Sequence, residues 1–228
     1  MAGAAVGSVL PVKGSTDGYA VRRIYCVGRN YADHVREMGG DPAREAPFFF
    51  AKPADAVVQN GGEVPYPPRT KDLHHEVELV VAVGQGGSDI PVASALAHVF
   101  GYAVGNDLTR RDLQAQQREK RLPWEISKGF DHSAPLTAVH PASLVGHPER
   151  NRIWLEVNGR RRQDATLDQM VWSVAEIIAE LSTYFRLERG DLVFTGTPAG
   201  IGALVPGDAV RAGIDGLDEL HHRIVAAR

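Results

Sequence analysis

Residues 74–83, HHEVELVVAV, constrain the fold of this 228-residue chain more than any other segment. The run has the β-branched character of a strand, and strand side chains alternate between faces. Glu76 and Glu78 therefore share one face, leaving Val77 and Leu79 on the other. Two like charges so close repel, and in a sheet interior each costs several kcal/mol unless paired or coordinated. A third acid, Asp107, follows a second apolar run at residues 98–106. Three carboxylates with no soft ligand nearby suit a hard divalent ion, Mg²⁺ or Mn²⁺. On spacing alone an E-x-E pair more often marks a solvated face, so the metal reading depends on what else the chain carries.

The composition excludes several classes. A formal charge of −3 leaves no basic excess to displace counterions, so no nucleic-acid partner is expected. Basic residues cluster at Arg110-Arg111 and at Arg160-Arg161-Arg162, but acids surround both; they read as a site edge and a hairpin tip. No segment approaches the ~18 consecutive apolar residues of a membrane helix, so no membrane partner is expected. Residues 1–10 lack a basic start and a long apolar stretch, so a secretory signal is not expected either. Cys26 is the single cysteine; it excludes an intrachain disulfide, reads as a small core residue and fits a cytoplasmic location. With 24 glycines and 14 prolines, turns should be many and the architecture β-rich.

Residues 1–21 read as a short, loosely ordered lead-in, and 22–228 as one catalytic domain with no dividing linker. Residues 31–38 suit a short helix, stopped by Gly39-Gly40 and Pro42. Asn158-Gly159 suits a two-residue hairpin turn, since both tolerate positive φ. The clearest helix starts at Ser173, which forms a capping box with Glu176, and Val174, Ile177, Ile178 and Leu181 give it one apolar stripe. Long strands with few short helices predict an α+β, β-rich fold, a mixed β-roll or barrel.

Further motifs support a site. Lys128 stands in SKGFDHSAP, Lys52 closes the apolar run FFFAKP, TGTPAGIG is a hydroxyl-bearing glycine loop, and GRNYADH lies near the start. Together with the Glu pair, these motifs resemble the fumarylacetoacetate hydrolase family in kind and order, from about residue 24 to 220. The resemblance implies the family's β-roll in its compact version without a separate N-terminal domain. It also implies a homodimer with Glu76, Glu78 and Asp107 as ligands to Mg²⁺ or Mn²⁺. His34 and Glu37 stand three apart, neighbours on a helix face, and resemble the catalytic dyad of the smaller members, with Gly39-Gly40 as a hinge.

The implied reaction is hydrolysis of a carbon–carbon bond in a small-molecule 2,4-dioxo acid. Water activated by Glu37 and His34 attacks the 4-carbonyl, and the enolate of pyruvate leaves. Lys128 belongs to the catalytic set and neutralises the acid cluster if it lies close. Arg29, Lys52, Arg110, Arg111, Gln114 and Thr197 are candidates for holding substrate, with Arg110 first and Arg29 second for a carboxylate remote from the metal. The texture of His74-His75 and of residues 109–114 is most like the fumarylpyruvate hydrolases of gentisate breakdown. Oxaloacetate decarboxylation and general acylpyruvate hydrolysis stay open beside it, as does a non-catalytic ligand-binding β-roll.

Overall fold

The computed structural model describes residues 8–39 and 46–227. In chain order the elements are β1 (Val9–Pro11), β2 (Gly18–Ala20), β3 (Arg23–Gly28), α1 (Ala32–Glu37), β4 (Phe48–Lys52), β5 (Val57–Gln59), β6 (Glu63–Pro65), β7 (Leu73–His75) and β8 (Val77–Val83). There follow α2 (Val92–Ala95), β9 (Val99–Asn106), β10 (Thr109–Arg110), α3 (Arg111–Glu119), α4 (Glu125–Lys128), β11 (Ala134–Leu136), β12 (His140–Pro141) and α5 (Ala142–Val145). The chain closes with β13 (Arg152–Val157), β14 (Arg160–Thr166), α6 (Val174–Tyr184), β15 (Asp191–Phe194), β16 (Gly202–Leu204), β17 (Ala209–Ile214) and β18 (Leu220–Val225).

An eight-stranded mixed sheet, ordered β4-β3-β15-β8-β9-β11-β5 with β12 also on β9, forms the body. A five-stranded sheet, β14-β13-β17-β18-β6, covers one of its faces, and β10-β7-β16 forms a third, three-stranded sheet. This is the mixed β-roll expected, with few helices. Every residue of β8 is buried, and its alternation divides the core. Val77, Leu79, Val81 and Val83 pack with Ile153, Leu155 and Ile214 of the five-stranded sheet and with α6. Val80 and Ala82 pack on the other face with Ile24, Cys26, Leu192 and Phe194. Glu76 and Glu78 continue that second face at the start of β8, so the same-face reading of the pair holds.

Local chemistry explains several boundaries. Asn158 and Gly159 have φ of 52° and 73°, the two positive values that a tight β13–β14 hairpin needs. The Ser173–Glu176 capping box forms, and Val174, Ile177, Ile178 and Leu181 are the buried stripe of α6. The expected helix over 31–38 is α1, one residue shorter at each end. Gly40 and Pro42, assigned to stop and hinge it, lie outside the described residues.

One expectation needs correction. From Ser8 the lead-in is not loose: β1 pairs β2 antiparallel, and Leu10 and Tyr19 are buried. The Tyr19 hydroxyl donates to a backbone carbonyl, with Val83 O and Asp191 O each 2.9 Å away. An apolar residue and an anchored tyrosine on a short hairpin cover one side of the main sheet, which glycine and serine content alone does not reveal. Among the described residues no helix is long and apolar enough to cross a membrane.

Candidate metal centre and active-site cavity

Glu76, Glu78 and Asp107 each place a carboxylate oxygen within 4.8 Å of the others, and all three are buried. Register brings them together: Val77 pairs with Asn106, so the residue before β8 meets the residue after β9, and Asp107 N–H donates to Glu76 O at 2.8 Å. The three acids open into a cavity of about 310 Å³, within the usual range for small-molecule sites.

The electrostatics of the three differ. The Lys128 ammonium donates to Glu76 Oε2 and Asp107 Oδ2, both at 2.7 Å, and Arg111 donates to Glu76 Oε1. Burial alone would raise Glu76, but Lys128 and then Arg111 outweigh it and hold the carboxyl below the usual range. Glu78 is the opposite case. Burial, then Asp107, then Glu76, push its carboxyl well above the usual range, against which Lys128 and one bond from Gly196 N–H at 2.7 Å are insufficient. Asp107 Oδ1 lies 2.8 Å from the Lys52 ammonium but without hydrogen-bond geometry, so it receives charge and no directed bond. A buried carboxylate lacking a paired cation and a buried oxygen lacking a donor are what a hard divalent ion satisfies, and the all-oxygen donor set suits Mg²⁺ or Mn²⁺. The cofactor assignment therefore fits the residues present.

The cations sort into two groups. Lys52 is fully buried, donates to Leu108 O at 3.1 Å and to Lys128 O, and lies outside the cavity lining. It supports the ligand set from beneath, so its assignment to substrate is corrected. Arg110 is corrected too: it donates to Ile126 O at 3.2 Å, lies 4.4 Å over the Phe130 ring and does not line the cavity. Lys128 lines the cavity, with two of its three donors engaged by acids, and Arg29, Arg111, Gln114 and Thr197 line it as well. Arg111 binds Gln114 Oε1 and Glu76 while its buried Nε–H lacks a partner.

His34 and Glu37 form the pair their spacing predicts, with Nδ1 and Oε2 3.2 Å apart. Glu37 Oε1 also accepts Gly200 N–H at 3.0 Å, which ties the dyad to the glycine loop. His34 lines the cavity; Glu37 stands behind it. Gly196 of the same loop has φ of 95°, and an added Cβ would meet Asn30 Cβ at 2.7 Å, so a side chain would force the loop away from Glu78.

Three buried amides that frame the site escaped sequence reasoning. Asn30 donates to Thr195 O at 2.8 Å and Trp172 O at 2.9 Å, fixing the loop's start. Asn106 accepts Glu76 N–H at 2.8 Å and donates to His222 Nε2 at 2.9 Å. Gln163 accepts Val77 N–H at 3.1 Å and donates to Thr197 Oγ1 and Pro198 O, both at 2.8 Å, leaving the Thr197 hydroxyl proton free for a ligand. Burial lowers the imidazole pKa of His75 to about 4 and of His222 to about 3, so both serve as neutral hydrogen-bonding rings. Asn106 at a strand end was the one legible signal. Gln163 sits in an arginine-rich strand that advertises nothing. Arg118 and Trp124, also on the cavity wall, were missed as well. Arg118 was legible as the residue seven after Arg111 on one helix.

Comparison with known proteins agrees with this geometry. The family model for the fumarylacetoacetate (FAA) hydrolase C-terminal region matches residues 23–225. The chain is 54% identical to a fumarylpyruvate hydrolase from Pseudomonas aeruginosa solved in complex with Mn²⁺ and pyruvate. The two superpose with a TM-score of 0.95, covering 97% of each chain. It is 42% identical to the mitochondrial oxaloacetate tautomerase of Rattus norvegicus, over 89% of this chain and 91% of the relative. It is 40% identical to the mitochondrial oxaloacetate decarboxylase of Dictyostelium discoideum, over 86% and 90%. The chain belongs to the fumarylacetoacetate hydrolase family and is an enzyme of that family.

Proposed function

We propose that this member of the family is a fumarylpyruvate hydrolase, cleaving the C3–C4 bond of the seven-carbon diacid to fumarate and pyruvate. The observation that carries the reading is the 54% identity to a fumarylpyruvate hydrolase over 97% of both chains, and the charge count around the cavity floor suits a 2-oxo diacid. With all three acids ionised, as a bound metal requires, they are balanced by three cations, Lys52, Lys128 and Arg111. A divalent ion raises the site to +2, which matches a dianion. That ion, held by Glu76, Glu78 and Asp107, would supply Lewis-acid stabilisation of negative charge on substrate oxygens.

The chain's own residues account for the rest. Glu37 takes the Nδ1–H of His34, which leaves Nε2 as the free base on the cavity side. His34 removes a proton from water as its oxygen bonds to C4. The C4 oxyanion re-forms its carbonyl, the C3–C4 bond breaks, and the electron pair moves into the pyruvate enolate. Lys128, Gln114 and the Thr197 hydroxyl are placed to donate to substrate oxygens, and protonation at C3 completes turnover.

The tautomerase and decarboxylase relatives favour oxaloacetate as a second reading, for which no attacking water is needed. A spectrophotometric assay with Mn²⁺ on fumarylpyruvate, acetylpyruvate and oxaloacetate separates them. The highest kcat/KM on fumarylpyruvate supports the proposal, and turnover confined to oxaloacetate refutes it. A homodimer in the cytoplasm completes the proposal. It rests on the family resemblance and the single buried cysteine, with light scattering and cell fractionation as tests.

A further inference from the structure

Helix α3 presents Arg111, Gln114, Ala115 and Arg118 to the cavity, a spacing of three, four and seven that defines one helical face. The two arginines on this face have different tasks. Arg111 is buried and bound to Glu76 and Gln114 at the carboxylate end. Arg118 is exposed two turns further along, and among the described residues its guanidinium makes one hydrogen bond, to a backbone carbonyl, Met38 O, at 3.2 Å. Among the described residues no carboxylate pairs with it. Glu119 also lines this end but stands about 100° round the helix.

We propose that Arg118 is the specificity residue that reads the second carboxylate of a long 2-oxo diacid, in place of Arg110. The inference rests on the reading of the site as an acylpyruvate hydrolase. Seven residues of helix advance about 10 Å. Six carbon–carbon bonds of an extended seven-carbon diacid separate its carboxyl carbons by roughly 7–8 Å. A substrate whose 2-oxo acid end lies at the acid triad beside Arg111 therefore brings its far carboxylate within reach of the Arg118 guanidinium. Arg29 is the other exposed cation on the wall, but it comes from the β3–α1 turn and lies 5.6 Å over the Phe48 ring. Arg118 has a second consequence. Met38 directly follows α1, the helix that carries His34 and Glu37, so the residue that reads the diacid also touches the end of the catalytic helix.

The test uses uncleavable ligands, so that binding is read apart from turnover. Calorimetry on the Mn²⁺-loaded protein compares 2-oxoheptanedioate with 2-oxoheptanoate, which differ only in the far carboxylate. Wild type should prefer the diacid by at least about tenfold, the effect of one charge-assisted hydrogen bond. Arg118→Gln, which keeps a donor for Met38 O, should reduce the preference to within about twofold, and Arg118→Lys should restore part of it. Arg29→Gln should retain it. No preference in wild type, or a preference surviving in Arg118→Gln, overturns the assignment; loss in Arg29→Gln alone moves the role to Arg29. Fumarylpyruvate turnover by wild type is scored separately. Its absence beside an intact diacid preference would refute the hydrolase reading and leave Arg118 assigned.

Discussion

Glu78→Gln should make the metal-free protein more stable while removing most of its metal affinity. Glu78 is 2% exposed, has two acids within 4.8 Å, and among the described residues forms no ion pair. At an effective dielectric of about 20, a like charge 4.8 Å away opposes ionisation by roughly 3.5 kcal/mol before the nearby cations offset it. After that offset, a net gain of about 1–3 kcal/mol is expected from the isosteric amide, which still accepts the Gly196 N–H. In a chain of this size that is about 2–12 °C in Tm. The pH dependence has a definite sign. The folded pKa of Glu78 lies above its unfolded value, so its stabilising contribution is complete below the unfolded pKa and lost as pH rises through the folded one. The Tm advantage of Glu78→Gln over wild type should therefore grow from pH 5 to pH 8 in chelator. Saturating Mn²⁺ should cancel or reverse that advantage, because binding to the native state adds about 2.7 kcal/mol at 100 times Kd, whereas a variant that binds ~100-fold more weakly gains only about 0.4 kcal/mol at the same concentration. Scanning calorimetry with and without Mn²⁺, plus titration calorimetry, reads both quantities. A variant that melts below wild type in chelator at pH 8, or that binds Mn²⁺ as tightly, refutes the reasoning.

Other outcomes follow from the same geometry. His34→Ala should lower kcat on fumarylpyruvate by ~10²–10⁴ with Mn²⁺ affinity intact, and should affect oxaloacetate decarboxylation less; a kcat within threefold of wild type would remove the dyad from the chemistry. Chelation should abolish turnover, and either Mg²⁺ or Mn²⁺ should restore it; full activity in chelator would dismiss the triad as a metal site. Gln163→Leu leaves the Val77 N–H and the Thr197 hydroxyl without a buried partner, so stability should fall by about 1–3 kcal/mol. KM should rise as well, and an unchanged KM would show that Thr197 needs no orienting. Arg110→Ala should leave the diacid preference in place, since its guanidinium is spent on Ile126 O and Phe130.

What was legible in the sequence was whatever strand periodicity or local turn chemistry encodes. Alternation alone puts Glu76 and Glu78 on one face, and the other motifs of the chain turn that face from a solvated one into a site that demands positive charge before any contact is known. The Asn158-Gly159 turn and the Ser173 cap are equally local. The partners that meet the demand are not. Lys52, Lys128 and Arg111 come from β4, α4 and α3, and each looks like a surface cation until the sheet order brings it to the acids. Arg110 and Arg111 show the limit most sharply. They are adjacent in sequence, yet one closes on Glu76 and the other lies over Phe130, because α3 begins between them. A helix phase of one residue decided which arginine reached the site.

That phase also explains how one fold can accommodate several reactions on 2-oxo acids. The acid triad is held by β8, buried along its whole length, and by the buried end of β9, with Lys52 and Lys128 packed beneath it. The groups that meet the rest of a substrate sit on α1, α3 and the glycine loop, which are joined by single bonds such as Glu37 to Gly200 N–H and Arg118 to Met38 O. Changes on these outer elements, Arg111 excepted, would alter the far end of the substrate, or the supply of water, without disturbing the charge balance at the floor. On the assignment of Arg118 proposed above, substrate choice resides in the cavity-facing side of α3, and the strand acids set only the 2-oxo acid end that every alternative substrate shares.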